Sequence, residues 1–204
     1  MSAQSMTHSA LCGLSLVAIL AATGARSAEG AQPGFSVDVA ADCNRYIEDS
    51  PQPGMGATFI QEGVIYQAGT LAAHCAGGDG CGLNPDGTPE FPAAVIGKWR
   101  VWGSFVGHAG VTTEGPPSYS THVYELSVAA PGGDLVEQGE HALVSHGPEW
   151  VSLEVPFERA IAGGYGHFKN ADGAVAQTRI GFNQTQCENY TFEFRLRSQT
   201  RSWR

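Results

Sequence analysis

Residues Ile96–Val106 read IGKWRVWGSFV, which puts Trp99, Val101 and Phe105 on one side of an extended chain and Lys98, Arg100, Trp102 and Ser104 on the other. A period of two is the signature of a half-buried β-strand, because successive side chains point to opposite faces. The same period closes the chain at Tyr190–Leu196 (YTFEFRL), where Tyr190, Phe192, Phe194 and Leu196 share one face. Between and around these lie further strand candidates: Ala57–Tyr66, Thr121–Ala129, Ala142–Ser145, Trp150–Val155, Glu158–Ala162 and Ala174–Phe182. Ala57–Tyr66 is rich in β formers, and Trp150–Val155 is stopped by Pro156. No stretch keeps a helical period. About eight strands suit an all-β closed barrel or a sandwich, and closure removes the edges that an open sheet must protect.

The remaining sequence divides the chain into a signal peptide (residues 1–28), an N-terminal arm (29–56), a β-barrel domain (57–198) and a C-terminal tail (199–204). Leu11–Ala22 is apolar but too short to span a bilayer. It runs into the small residues Ala21–Ala25, which suit cleavage after Ala25, Ser27 or Ala28. Its n-region is atypical, with no Lys or Arg. No later stretch is long and apolar enough to span, so the expectation is a secreted or periplasmic protein. The arm is Pro/Gly-rich, with room for one short strand at Phe35–Val39 and a helical turn at Asp42–Arg45. Gly69–Pro92 is full of Gly, Asn, Asp and Pro and reads as a loop over one barrel mouth.

With 15% charged and 42% hydrophobic residues the chain can build a core rather than a disordered tail. A net charge of −9 repels phosphate backbones, which argues against nucleic acid as a partner. Beyond the leader four cysteines remain, Cys43, Cys75, Cys81 and Cys187, an even set with three possible connectivities. The pairing Cys75–Cys81 is expected because the glycines between them allow a tight turn. Cys43–Cys187 would then tie the arm to the last hairpin. A metal reading of His74, Cys75, Asp79 and Cys81 matches no common zinc spacing, so no metal is expected.

Arg159–Gly173 reads RAIAGGYGHFKNADG, and Gly163, Gly164, Gly166, Phe168, Ala171 and Gly173 fall on a Gly-Gly-x-Gly-x-Phe-x-x-Ala-x-Gly pattern. This resembles the signature of dirigent proteins and allene oxide cyclase barrel-like proteins. GKWRVWGSF at Gly97–Phe105 and the closing pair QTRIGFN/YTFEFRL are similar to that family's other strands, so the resemblance runs from about Gln61 to Leu196. It implies an eight-stranded antiparallel β-barrel, with Phe168 plugging one end, often a homodimer or homotrimer. It also implies a mostly apolar lumen for a small hydrophobic molecule, and steering of cyclisation or radical coupling without a metal or organic cofactor.

No G-x-S-x-G elbow, P-loop, dinucleotide fingerprint or H-E-x-x-H occurs. Beyond the leader the histidines (His74, His108, His122, His141, His146, His167) are scattered, although His122 and Tyr124 share one strand face. Two N-x-T triplets begin at Asn183 and Asn189. Chemistry inside a barrel needs polar groups that project from strands. Glu62 or Glu193 with Arg100 or Arg179 is the candidate catalytic set, able to polarise a carbonyl or assist proton transfer. Tyr66, Trp102, Tyr124 and Asn183 are the candidate ligand-binding residues. The competing assignment is an outward ladder of surface ion pairs, since alternation separates two faces without saying which is the lumen. Three functions stay open: a binding barrel, a cofactor-independent cyclase or isomerase that sets the stereochemistry of a reactive substrate, and a structural protein with a filled barrel. An inward Glu–Arg pair beside an open cavity favours the second, a wholly apolar cavity the first, and a plugged lumen the third.

Overall fold

The computed structural model describes residues 34–50, 55–107, 118–127, 141–149 and 155–197. Eight strands form one closed antiparallel barrel in sequence order: β1 Gly34–Glu48, β2 Thr58–Gln67, β3 Val95–Phe105, β4 Ser118–Leu126, β5 Ala142–Glu149, β6 Phe157–Tyr165, β7 Gly173–Phe182 and β8 Glu188–Leu196. The ring closes where β1 pairs with β8, Val37 opposite Phe192 and Val39 opposite Tyr190. The alternation in Ile96–Val106 survives intact. Trp99 and Val101 are buried in the core, while Lys98 and Trp102 face out.

The expected arm is corrected on one point: 34–48 of it is a full barrel strand, hydrogen-bonded to β2 and β8. The helical turn expected at Asp42–Arg45 is instead a register shift between Asp42 and Tyr46. Such a bulge bends the strand and lets both faces of β1 be covered. The sequence also offers a strand at Trp150–Val155. Residues 150–154 lie outside the described residues, and Val155 is not in a strand. The leader (1–28), His108 and the tail (199–204) also lie outside them.

Inside, Val37, Val39, Ile65, Trp99, Tyr124, Leu143, Val175, Phe192 and Phe194 form the main core. Phe168 packs onto it beside Phe35, with ring centroids 6.1 Å apart, at the end where β1 begins and β8 finishes. The glycines of the 159–173 stretch make that end possible. A Cβ on Gly164 would sit 2.5 Å from the Ala142 carbonyl oxygen, and Gly173 holds φ +145° against the Arg195 carbonyl.

Both expected disulfides are present, Cys43–Cys187 and Cys75–Cys81. The sulfurs of Cys75 and Cys81 are therefore bonded to each other. The loop they pin does not lie over a mouth, as expected. It packs on the outer flank of β7, β8, β1 and β2, where Leu71 (in α1, Thr70–His74), Leu83 and both cysteines cover Ala40, Tyr66 and Ile180. Polar side chains on the outer strand faces reach up to satisfy the loop backbone. Asp38 accepts the Leu71 N–H at 2.8 Å, and Asn189 donates to the Gly78 and Cys81 carbonyls at 2.8 and 2.7 Å. Burial holds the Asp38 carboxyl above its usual value, although hydrogen bonds from the Leu71 and Gly69 N–H groups and from Thr191 oppose the shift. Among the described residues no helix is long and apolar enough to cross a membrane.

Candidate functional site

The barrel interior is apolar at the Phe168 end and polar at the other. The polar half is built from inward positions of consecutive strands: Ser120, His122 and Tyr124 on β4, Ser145 and Glu149 on β5, Arg159 on β6, and Gln177 and Arg179 on β7. Each stands two residues from an inward neighbour, so the period that makes the core also places these groups.

Arg159 is fully buried, and a charge there is tolerated only when every donor is paired. Its Nε donates to Ser145 Oγ at 3.3 Å, and Nη1 donates to the Pro148 carbonyl and to Glu149 Oε1, each at 3.0 Å. Nη2 donates to the Ser120 carbonyl at 2.7 Å and to Ser120 Oγ at 2.8 Å. The five N–H groups of a guanidinium are thus spent, and Arg159 is a positioning residue. Glu149 Oε1 also accepts from Ser120 Oγ at 2.6 Å and from His122 Nε2. Burial opposes a charge on Glu149, but His122, Arg159 and Ser120 outweigh it and hold the carboxyl well below the usual range. Among the described residues its second oxygen, Oε2, meets only a long 3.4 Å contact from Gln177 Nε2. Burial and the adjacent Arg159 push His122 below its ordinary value, so its imidazole is neutral despite the pull of Glu149.

A cavity of about 360 Å³ opens beside this network, at the end that holds the Cys43–Cys187 bridge. Its walls are aromatic (Tyr46, Phe59, Trp99, Phe105, Tyr190), and Gln61, Glu149, Arg179 and Glu188 bring polar groups to it. That volume lies at the lower end of the range for small-molecule sites. Glu188 behaves oppositely to Glu149. Burial raises its carboxyl, and Glu149 adds to the rise while Arg179 works against it. Three buried polar atoms near this end have no partner among the described residues, Glu48 Oε1, Gln177 Oε1 and Arg179 Nε.

Of the sequence-predicted residues, only Arg179 and Tyr124 face the lumen. Arg179 lines the cavity. Tyr124 is buried in the network, its hydroxyl 3.2 Å from His122 Nδ1 and 3.1 Å from Ser145 Oγ. Glu62 and Arg100 point outward and pair with each other at 3.1 Å, Glu62 also binding Arg45 and Arg100 binding Glu125. This is the surface ladder that alternation allowed. Glu193 is exposed on the outer face of β8, and Trp102 is 48% exposed on the outer face of β3. Tyr66 is buried, but outside the barrel wall, where its hydroxyl donates to the Gly82 carbonyl under the disulfide loop. Asn183 is a turn residue whose amide donates to the Ala41 carbonyl at 2.7 Å. Both N-x-T asparagines are buried and bonded in this way, which closes them to a glycan in the folded chain.

Sequence reasoning missed Glu149, Arg159, Gln177 and Glu188. One signal was available. Arg159 alternates with Phe157 and Ile161, and a charge on the apolar face of a strand is costly unless it is paired inside.

No protein-family model matches the chain, and no curated protein matches it in sequence. Among solved structures, it is similar to a pterocarpan synthase dirigent protein at 12% identity, with 95% of this chain and 96% of that one covered and a TM-score of 0.52. A second pterocarpan synthase dirigent protein matches at 14% identity over 82% of this chain and 94% of its own, with a TM-score of 0.50. A pyocyanin demethylase matches at 16% identity over 78% and 98%, with a TM-score of 0.47. The likeness to the two dirigent proteins is one of fold, and the chain has the dirigent-like barrel.

Proposed function

We propose that this chain is an exported barrel that holds a small aromatic molecule carrying an O–H or N–H donor in the cavity between Tyr46, Phe59, Tyr190 and Glu149, and fixes its orientation. The observation that carries this is the asymmetry of Glu149. One oxygen is saturated by Ser120, His122 and Arg159, and the other has capacity left on a residue that lines the cavity. A carboxylate clamped in this way is a directed hydrogen-bond acceptor, and the aromatic walls supply the apolar contact. The two disulfides suit an oxidising compartment, in keeping with the leader read from the sequence.

A second reading, a cyclase or isomerase acting on the bound molecule, is favoured by the two carboxyls of the cavity. Glu149 is held as an anion and Glu188 is displaced toward its acid form. Carboxyls pushed apart in this way are how one site keeps an acid and a base together. Holding a flexible reactant in one conformer would contribute through orientation, and Glu188 would supply the proton.

The test compares 2-naphthol with 2-methoxynaphthalene, which lacks the donor, by titration calorimetry. A charge-assisted hydrogen bond of about 1.5–3 kcal/mol predicts roughly ten- to hundredfold tighter binding of the naphthol. Equal affinities would reject Glu149 as the anchor. Native mass spectrometry of protein purified from its own host would show whether a molecule of this class is retained.

A further inference from the structure

The His122–Glu149 contact resembles a proton-storing dyad, but the group behind His122 is of the wrong kind for that. Trp99 Nε1 lies 3.2 Å from His122 Nδ1, the two rings edge to face with centroids 5.2 Å apart. An indole N–H can only donate, so Nδ1 must be the unprotonated, accepting nitrogen. The ring proton then sits on Nε2, which donates to Glu149. An imidazolium would turn Nδ1–H against Trp99 N–H inside a fully buried pocket: the Tyr124 hydroxyl oxygen could accept Nδ1–H, but the Trp99 N–H would lose its acceptor.

Of the groups facing His122, only Glu149 favours the imidazolium; burial and Arg159 oppose it. Arg159 on β6 brings a fixed positive charge, Glu149 on β5 takes the Nε2 proton, and Phe192 on β8 packs an apolar ring edge-on. Tyr124 on β4 is the remaining titratable neighbour. Burial keeps it protonated, and its hydroxyl can donate either to Nδ1 or to Ser145.

We propose that Trp99 is the positioning residue of the site, locking His122 in the Nε2–H form so that the His122–Glu149 pair takes up no proton between about pH 5 and 8 and Glu149 remains an anion toward the ligand. This deepens the proposed function and rests on it only for its use, since the lock is a property of the ligand-free protein. It has a consequence for the second reading. A proton that the bound molecule gains or loses cannot be exchanged with His122, which leaves Glu188 as the exchanging carboxyl.

The experiment is 15N NMR of the histidine- and tryptophan-labelled full chain without ligand, followed between about pH 5 and 8. The expected result is an unprotonated Nδ1 and a protonated Nε2 on His122 throughout, with a 15N–15N coupling across the hydrogen bond to Trp99 Nε1. Tyr124→Phe should leave this pattern unchanged. Trp99→Phe should let His122 titrate within the window. A wild-type imidazolium in that range would overturn the proposal, as would titration released by Tyr124→Phe but not by Trp99→Phe. If Trp99→Phe does not fold, the wild-type coupling and the Tyr124→Phe spectrum decide. Failure of 2-naphthol to bind would reject the proposed function and leave the lock standing; a titrating His122 in a protein that binds 2-naphthol would do the reverse.

Discussion

Two glutamate–arginine groupings are carried by the same barrel, one inside and one outside. Inside, Glu149 and Arg159 pair at 3.0 Å with side-chain exposures of 15% and 0%. Outside, Glu62 and Arg100 pair at 3.1 Å with exposures of 35% and 39%. The separations are alike and the residue types identical. Solvent makes the difference. The outer pair is screened and extends into a chain through Arg45 and Glu125, each end free to exchange partners with water. The inner pair is largely shielded from water, so every donor of the buried Arg159 is met by a protein acceptor, and the result is one fixed geometry beside a cavity. Burial, rather than chemistry, turns an ion pair into a site.

The sharpest way to break this comparison is to remove one arginine from each. Arg159→Met leaves Glu149 buried without its cationic partner, held only by Ser120 and His122, and should lower unfolding free energy by about 3–5 kcal/mol. Arg100→Met should cost less than about 1 kcal/mol. Urea denaturation of both variants measures the gap, and equal losses would mean that the inner pair is wetter than its geometry indicates.

Acid comes next. The folded Glu149 carboxyl titrates below its ordinary value of 4.5, so its contribution is present above that pH and is lost as pH falls toward the folded value. The expected loss is roughly 3 kcal/mol. His122, also depressed, acts in the same direction from its ordinary value of 6.5 downward. Glu188 acts oppositely, because its raised carboxyl favours the fold at low pH. Thermal melts from neutral to acid pH should show the decline in wild type and in Glu62→Gln, and a shallower one in Glu149→Gln.

In ligand binding, Glu149→Gln should narrow the preference for 2-naphthol over 2-methoxynaphthalene by roughly tenfold, about 1.4 kcal/mol, and Glu62→Gln should leave it unchanged. Smallest of all is the response to salt. Raising ionic strength should erase most of the few tenths of a kcal/mol that the outer ladder contributes and should not touch the inner pair. A double-mutant cycle on Glu62 and Arg100 at two salt concentrations reads this directly.

Much of the architecture was legible from residues 96–106 and 190–196 and from the 159–173 glycines, because strand alternation and tight turns are local properties. The site was legible only in fragments. His122 and Tyr124 could be seen to share a face, and Arg179 to be a candidate, but Glu62, Arg100, Glu193, Tyr66 and Trp102 were equally good candidates by alternation and lie outside the lumen. Tyr66 shows why hydrophobicity could not resolve them. The disulfide loop buries the outer face of β1 and β2 as thoroughly as the lumen buries the inner one, so both faces of those strands look like core.

By itself the sequence determined that the chain alternates, where it turns and that Cys75 and Cys81 can meet across their glycines, since each depends on neighbours a few residues away. Only the tertiary structure decided which parity faces the lumen, that Gly34–Glu48 closes the ring, and that Glu149, Arg159 and His122 converge from three strands. Those outcomes depend on the direction of sheet curvature and on what covers each face, and these are set by partners far away in the chain.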